Sequence, residues 1–304
     1  VNLFPCLQIN WFLLVNINPA YRAHELKHVL EQSGVSLLVA AQGFRSTDYT
    51  VVIQEVWPDL PKLRQVVILG EPASGMLSWA DLLEKADGVS KDALLTREAS
   101  LESDDAINIQ YTSGTTGFPK GATLSHHNIL NNGFLVGERL RLTSKDRVCL
   151  TVPFYHCFGM VMGNLGFMTH GATVVIPSEA FDPEISLGAA EQELCTTLYG
   201  VPTMFIAMLE HPKFDSYHLD NLRTGIMAGS PCPIEVMRKV IERMHMKEVT
   251  IAYGMTETSP VSFQSEIDDD IDTRVSTVGS IHPHVECKIV EPETGQVVQR
   301  GVSG

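Results

Sequence analysis

The chain has 304 residues, 44% hydrophobic and 19% charged, enough to bury the core of one large domain or two ordinary ones and unlike a disordered chain or a coiled coil. Its 22 Lys and Arg stand against 36 Asp and Glu, a formal net charge of −14 with no basic run, which argues against binding nucleic acid through its phosphates. Six scattered cysteines without C-x-x-C spacing read as reduced core thiols rather than a disulfide framework or a zinc site.

Residues 1–21 carry no charge, and Leu3, Phe4, Leu7, Ile9, Trp11, Phe12, Leu13, Leu14 and Val15 make them oily. Asn2, Gln8, Asn10, Asn16 and Asn18 interrupt the stretch, whereas a bilayer span needs about 20 mostly apolar residues. No transmembrane span is expected, and the segment reads as a buried strand or a non-native end. Val1 is not Met and no basic n-region follows, so neither a secretory signal nor a transit peptide is read here.

Beyond this stretch, short β-branched runs alternate with helical patterns. Strands are predicted at 36–40, 65–69, 106–112, 147–152, 172–176, 197–200, 224–228 and 249–253. Helices are predicted at 20–33, 125–140, 182–194, 202–210 and 233–245. The alternation predicts an α/β fold with a largely parallel sheet. Residues 71–103, rich in charge, Gly and Ser, read as a link between subdomains. After Asp272, short strands at 286–290 and 296–298 around Glu293-Thr294-Gly295 predict a small β element.

The most informative segment is Tyr111-Thr112-Ser113-Gly114-Thr115-Thr116-Gly117-Phe118-Pro119-Lys120-Gly121. Its glycines let the backbone turn tightly, its hydroxyls add donors, and Lys120 adds a point positive charge. Following a strand, with a helix expected soon after under a Ser125 cap, it predicts a phosphate cradle. Neither the Walker A spacing nor the Rossmann G-x-G-x-x-G can be fitted to it.

Two further patterns have a functional and a structural reading. His24-Glu25-Leu26-Lys27-His28 matches H-E-x-x-H, the zinc-protease pattern. At 100° per residue, however, the two histidines share a face with Lys27 and Glu31, opposite Leu26, Val29, Leu30 and Ala23. A solvent-facing helix is the expectation. The acidic run Glu266, Asp268, Asp269, Asp270 and Asp272 lacks the ligand spacing of a calcium loop and reads as a solvated loop.

Tyr111–Gly121 resembles the phosphate-loop signature of the adenylate-forming (AMP-binding) superfamily of acyl-CoA synthetases, luciferases and peptide adenylation domains. Pro153-Phe154-Tyr155-His156-Cys157-Phe158-Gly159 is similar to its second core motif, and Met227-Ala228-Gly229-Ser230-Pro231 to its adenine-side turn. Tyr253-Gly254-Met255-Thr256-Glu257-Thr258-Ser259-Pro260 is similar to its Y-G-x-T-E signature, and Val278-Gly279 to the approach to the next motif. Asn16-Ile17-Asn18-Pro19-Ala20-Tyr21 and Glu25-Leu26 are closest to fatty acyl-CoA ligases of the mitochondrial, medium-chain kind. The resemblance covers residues 15–304.

The resemblance implies part of the large N-terminal domain of such an enzyme: mostly parallel sheets flanked by helices, with the start of a small β element and without the C-terminal domain. It divides the chain into a partial first subdomain (1–103), a second carrying the phosphate loop and Y-G-x-T-E motif (104–272), and the start of a β subdomain (273–304). The implied activity is ATP-dependent conversion of a medium-chain fatty acid to acyl-AMP and then acyl-CoA, releasing AMP and diphosphate, in mitochondria. ATP, Mg²⁺ and coenzyme A would be the small-molecule partners. Thr112–Lys120 would hold the phosphates, Glu257 would help bind Mg²⁺, and Thr256 would donate to the α-phosphate. Tyr253 would lie against adenine, with Gly229 and Ser230 leaving room for the ring. His156 would orient the acyl carboxylate, or alternatively be a satisfied core histidine. Phe154, Met160, Val161, Met162, Met204, Met227 and Met255 would line an alkyl pocket or simply pack as core. Without the ribose-binding acid, hinge and catalytic lysine that the family carries further on, the chain is expected to be impaired alone. The alternatives are an aryl- or short-chain acyl-CoA ligase and an inactive nucleotide-binding isoform.

Overall fold

The structure, a computed structural model, describes residues 12–112 and 119–304. The oily stretch before Phe12, Cys6 included, lies outside the described residues. One compact unit comprises the chain up to Ile129 together with Phe154–Cys157; the other comprises Leu130–Pro153 and Phe158–Gly304.

The first unit opens with strand β1 (Leu14–Asn16) and helix α1 (Ala23–Ser33). Leu26, Val29 and Leu30 form the buried stripe of α1, while His24 is exposed and His28 half-buried. The H-E-x-x-H histidines therefore flank the packed face, His28 more covered than its sequence position implies. Among the described residues no three His, Cys, Asp or Glu cluster as metal ligands. Next come β2 (Leu37–Ala41), β3 (Gly43–Phe44), β4 (Thr47–Asp48) and α2 (Tyr49–Val56), capped by Asp48, whose Oδ1 accepts from Thr50 N at 2.9 Å. β5 (Gln65–Leu69) and β6 (Leu77–Ser78) complete a parallel sheet with β2. Its core is Leu26, Leu30, Ile53, Val66 and Ile68.

The predicted link at 71–103 holds β6 and two helices, α3 (Trp79–Glu84) and α4 (Lys91–Glu98). Ser78 and Ser90 cap them, accepting from Asp81 N and Ala93 N at 3.1 Å each. Neither helix buries a residue, so local capping rather than an apolar stripe forms them. β7 (Ala106–Thr112) and β8 (Lys120–Ser125) join β1 in a three-stranded sheet, and α5 (His126–Arg139) follows. The two units divide within α5, and β7 pairs with both β1 and β8.

The second unit is a seven-stranded sheet flanked by helices. Its elements are β9 (Arg147–Leu150), a π-helix (Phe158–Leu165), α6 (Gly166–Met168), β10 (Thr173–Val175), α7 (Pro183–Gln192), β11 (Thr197–Gly200) and α8 (Pro202–Leu209). β12 (Thr224–Ala228), α9 (Ile234–Arg243), β13 (Glu248–Gly254), β14 (Val261–Gln264), α10 (Ile271–Ser276) and β15 (Ser280–Ile281) follow. The order is β10-β9-β11-β12-β13-β14-β15, parallel through β13 and antiparallel beyond. Every residue of the π-helix is buried. It lies hard against β9, since a Cβ on Gly163 would stand 2.5 Å from Leu150 Cδ1.

Arg223 ties the amino ends of the strands, donating to Asp146 Oδ1 at 3.0 Å and Glu248 Oε2 at 2.6 Å. Burial raises the Asp146 pKa, but Thr143 N–H, the Thr196 hydroxyl and Arg223 outweigh it and hold the carboxyl below its usual range. Among the described cysteines, Cys149, Cys157 and Cys195 are buried as expected, whereas Cys287 is exposed and so is no core thiol. The strands predicted at 286–290 and 296–298 meet only in one antiparallel bridge, Val290↔Val297. An exposed two-stranded element has no face to bury and extends no ladder. β15 meanwhile continues the large sheet past Asp272. Among the described residues no helix is long and apolar enough to cross a membrane.

A buried polar chain crosses the antiparallel edge. Thr250 Oγ1 donates to Gly225 O at 3.3 Å, Gln264 Nε2 donates to Thr250 Oγ1 at 3.0 Å, and His282 Nε2 meets Gln264 Oε1 at 3.1 Å. Burial, with Arg139 beside it, pulls the His282 pKa down to about 4, and Arg139 is itself paired with Glu266. A folded pKa below the unfolded value of about 6.5 means that the unfolded chain takes up the proton first as pH falls. His282 therefore supports stability above pH about 6.5 and loses up to about 3 kcal/mol of it between there and pH about 4. Urea midpoints of wild type and His282→Gln, followed across that window, are expected to converge toward acid; parallel curves would refute the assignment.

Candidate functional site

The second unit brings two predicted turns together by strand register. Met227↔Ile251 and Ala228↔Ala252 are opposite one another in β12 and β13. Gly229-Ser230, which follow β12, and Tyr253-Gly254, which end β13, therefore lie at the carboxyl ends of adjacent strands, where open parallel sheets bind ligands. Gly229 has φ 89°, and a Cβ there would stand 3.1 Å from Val201 Cγ1. Ser230 is exposed, and so is Tyr253 at 54%, its ring centroid 6.1 Å from that of Phe263.

The turn after Tyr253 is held by its own backbone. Met255 N donates to Pro260 O at 3.1 Å, and Thr258 Oγ1 donates to the same carbonyl at 2.7 Å. A one-turn 3₁₀ helix, Thr256–Thr258, closes it. The result separates neighbours: Thr256 is buried at 7% and Glu257 is exposed. Mg²⁺ keeps several waters and binds through one or two carboxylates plus substrate phosphates. An exposed carboxylate such as that of Glu257 fits that mode.

In the first unit the phosphate loop is the connection of an antiparallel hairpin. Thr112 ends β7 opposite Lys120, which starts β8, and Thr112 Oγ1 lies 3.5 Å from Lys120 O. Ser113, Gly114, Thr115, Thr116, Gly117 and Phe118 lie outside the described residues. Pro119 is half-buried and Lys120 exposed. The helix expected soon after the loop under a Ser125 cap is α5, which follows β8, so no helix terminus stands at Lys120. Ser125 does cap α5, accepting from Asn128 N at 3.2 Å while Asn128 Oδ1 accepts from Ser125 N at 3.2 Å.

His156 also belongs to the first unit and is exposed, its Nδ1 3.7 Å from the Cys157 sulfur. Desolvation by the surrounding protein lowers its pKa from the usual imidazole value, favouring the neutral ring. In the second unit Met160, Val161, Met162 and Met227 are buried and Met204 is half-buried. Met255, expected in the same wall, is 56% exposed because the Y-G-M-T-E turn points it outward. Asn16 and Asn108 were not singled out as site residues by sequence. Asn16 donates to Phe154 O at 3.2 Å, next to the His156 motif.

The description "AMP-binding enzyme" matches residues 4–304. The chain belongs to this family. A Bacillus subtilis (strain 168) protein provisionally named acyl-CoA synthetase YngI is 49% identical over 306 residues, covering 96% of this chain and 56% of its own length. The mitochondrial medium-chain acyl-CoA ligase ACSF2 of Danio rerio is 41% identical, with 96% of this chain and 51% of that protein covered. The chain thus spans about half the length of these AMP-binding relatives. Among solved structures, ATP-bound MatB from Rhodopseudomonas palustris superposes with a TM-score of 0.70 at 27% identity, covering 94% of this chain and 52% of that one. A luciferase-like enzyme of the Zophobas morio mealworm gives 0.80 at 20% identity, covering 95% and 65%. The fold is that of the N-terminal domain of adenylate-forming enzymes, with parallel sheets between helices.

Gly254 offers a direct test of the turn. A Cβ there would stand 1.8 Å from Pro260 O and 2.9 Å from Pro260 C, both backbone. Gly254→Ala is expected to lower stability by about 2–3 kcal/mol. Gly88→Ala, with nothing within 4 Å, is expected to stay within about 0.5 kcal/mol of wild type. Equal urea midpoints for the two variants would show that the turn is looser than described.

Proposed function

We propose that the complete protein is an acid–thiol ligase that converts a fatty acid, ATP and coenzyme A into acyl-CoA, AMP and diphosphate. The observation that carries this reading is the juxtaposition of Gly229-Ser230 with Tyr253-Gly254 at the carboxyl ends of β12 and β13. A carboxylate is a poor electrophile, so its oxygen first attacks the α-phosphorus of ATP. The bond to the bridging oxygen breaks and diphosphate leaves. The thiol of coenzyme A then attacks the acyl carbon, AMP leaves, and the thiol proton goes to solvent.

The chain's own groups would act by positioning and charge. Thr112 and Lys120, with Ser113, Gly114, Thr115, Thr116, Gly117, Phe118 and Pro119 between them, would hold the phosphates. Tyr253 would stack on adenine, and Gly229-Ser230 would let the ring approach backbone. Thr256 would donate to the α-phosphate if the turn yields enough to expose its hydroxyl. Glu257 would hold Mg²⁺, which, when bound, neutralises developing phosphate charge. His156 would orient the acyl carboxylate.

Medium-chain acids are the proposed substrates. The names of the vertebrate relatives say so of those proteins, and adaptable methionines at 160, 162 and 204 suit an alkyl chain. A mitochondrial location is proposed from the same vertebrate likeness, while the bacterial relative shares the family without the organelle. With about half of the relatives' length present, the chain alone is proposed to bind the adenylate and turn over poorly.

Calorimetric titration with a non-hydrolysable octanoyl-adenylate analogue and with ATP tests this reading. Saturable binding is expected, with Lys120→Ala weakening ATP by about tenfold or more. Glu257→Ala should abolish the Mg²⁺ dependence of ATP binding while leaving the metal-free affinity unchanged. Octanoyl should outbind acetyl and benzoyl analogues. A cooperatively melting chain that binds none of these ligands would sink the proposal.

A further inference from the structure

The four residues Phe154–Cys157 pack with the first unit, although Pro153 before them and Phe158 after them belong to the second. A chain that leaves one unit for four residues and returns needs an anchor on the other side. That anchor is a pair of amides on neighbouring strands. Asn108, 0% exposed in β7, donates from Nδ2 to Asn16 Oδ1 at 2.5 Å and to Leu14 O at 2.8 Å. Asn16, at the end of β1, donates from its own Nδ2 to Phe154 O at 3.2 Å.

The direction of each amide follows from this chain of bonds. With Asn16 Oδ1 accepting from Asn108, its nitrogen is the atom left to face the Phe154 carbonyl. Parallel pairing sets Leu14 opposite Asn108 and Asn16 opposite Gln110, two residues before β7 ends at Thr112. The strand that starts the phosphate loop therefore also holds, through one intervening side chain, the backbone two residues before His156. Burying an amide within a strand is unfavourable, the more so here because Asn108 Oδ1 is buried without a partner among the described residues, and an aliphatic residue at 108 would pack as well without anchoring anything.

We propose that Asn108 and Asn16 form an amide relay that ties the His156 segment to β7, which makes Asn16 a positioning residue for the acyl end of the adenylate. The inference rests on the ligase reading above. It requires that Asn16 matter for the acyl group and not for the nucleotide.

Asn16→Ala removes the relay. Asn16→Asp is near-isosteric, keeps the acceptor for Asn108 and loses the donor to Phe154 O. Binding of AMP and of the non-hydrolysable octanoyl-adenylate analogue is measured by calorimetry on the full chain, with amide hydrogen exchange of Tyr155–Cys157 on the same samples. Both variants are expected to weaken the analogue about tenfold, the scale of one lost hydrogen bond, and to change AMP by less than about twofold. Exchange at Tyr155–Cys157 should quicken in both. Parallel weakening of AMP and analogue, or no change in either, overturns the proposal. If wild type bound neither ligand, the ligase reading would fail by itself. The relay would then rest on exchange alone: faster in both variants sustains the anchor, unchanged rates overturn it.

Discussion

The pairing of β12 with β13 is the constraint on which the second unit's chemistry depends. Five consecutive parallel pairs, Thr224↔Glu248 to Ala228↔Ala252, fix where each strand stops. Both turns then start from the same edge of the sheet, and a one-residue slip would reverse the face each side chain presents. The register is pinned from two directions. At the amino ends, Arg223 reaches both Asp146 and Glu248. Along the antiparallel edge, the Thr250–Gln264–His282 chain links β13 to β14 and to the residue after β15. These bonds tie down the strand returning from the Y-G-M-T-E turn, while His282 Nδ1 is buried without a partner among the described residues.

The first unit solves a related problem with fewer strands. Its sheet of β1, β7 and β8 carries the phosphate loop as a hairpin connection, and the same sheet buries polar side chains at Asn108 and Gln110. A three-stranded sheet packed only by aliphatic side chains would tolerate slippage. Amides bonded to specific carbonyls do not, because a shift leaves buried donors unmet. The ends of the two strands at Thr112 and Lys120 are thus set by hydrogen bonds on the strands themselves.

How much of this was legible in the sequence follows from what each element buries. The strands at 65–69, 106–112, 197–200 and 224–228 coincide with their β-branched runs, because strands covered on both faces read as continuous apolar stretches. β8 was invisible: Lys120-Gly121-Ala122-Thr123 shows neither alternation nor β-branching until its end. The π-helix was read only as apolar wall, since a segment buried on every side has no periodicity to reveal its type. α2 begins straight after a two-residue strand and depends on the Asp48 cap rather than on a long stripe. Lys120 in the first unit, and Tyr253 and Glu257 in the second, stood out because their neighbours make recognisable motifs. Asn108 did not, and Asn16 stood out only within the Asn16–Tyr21 motif, without a positioning role. Their meaning lies in a bond across 92 positions of sequence, which no local pattern encodes.

The acidity of the chain bears on what it can hold. A net charge of −14 would repel a triphosphate if it acted as a whole, yet at physiological salt charges separated by more than about 8 Å are largely screened. What decides anion binding is then the first few ångströms around the loop, where Lys120 is exposed at the start of β8. The remaining acidic surface acts selectively. Polyanions that must lie along many surface charges at once meet repulsion at each contact, whereas a nucleotide small enough to sit within one screening length of a single lysine meets little. A strongly acidic protein and a phosphate-binding loop are therefore compatible, provided that the loop is rigidly placed. In this chain β7, which ends at Thr112, is tied to β1 by the buried amide of Asn108 and the half-buried amide of Asn16.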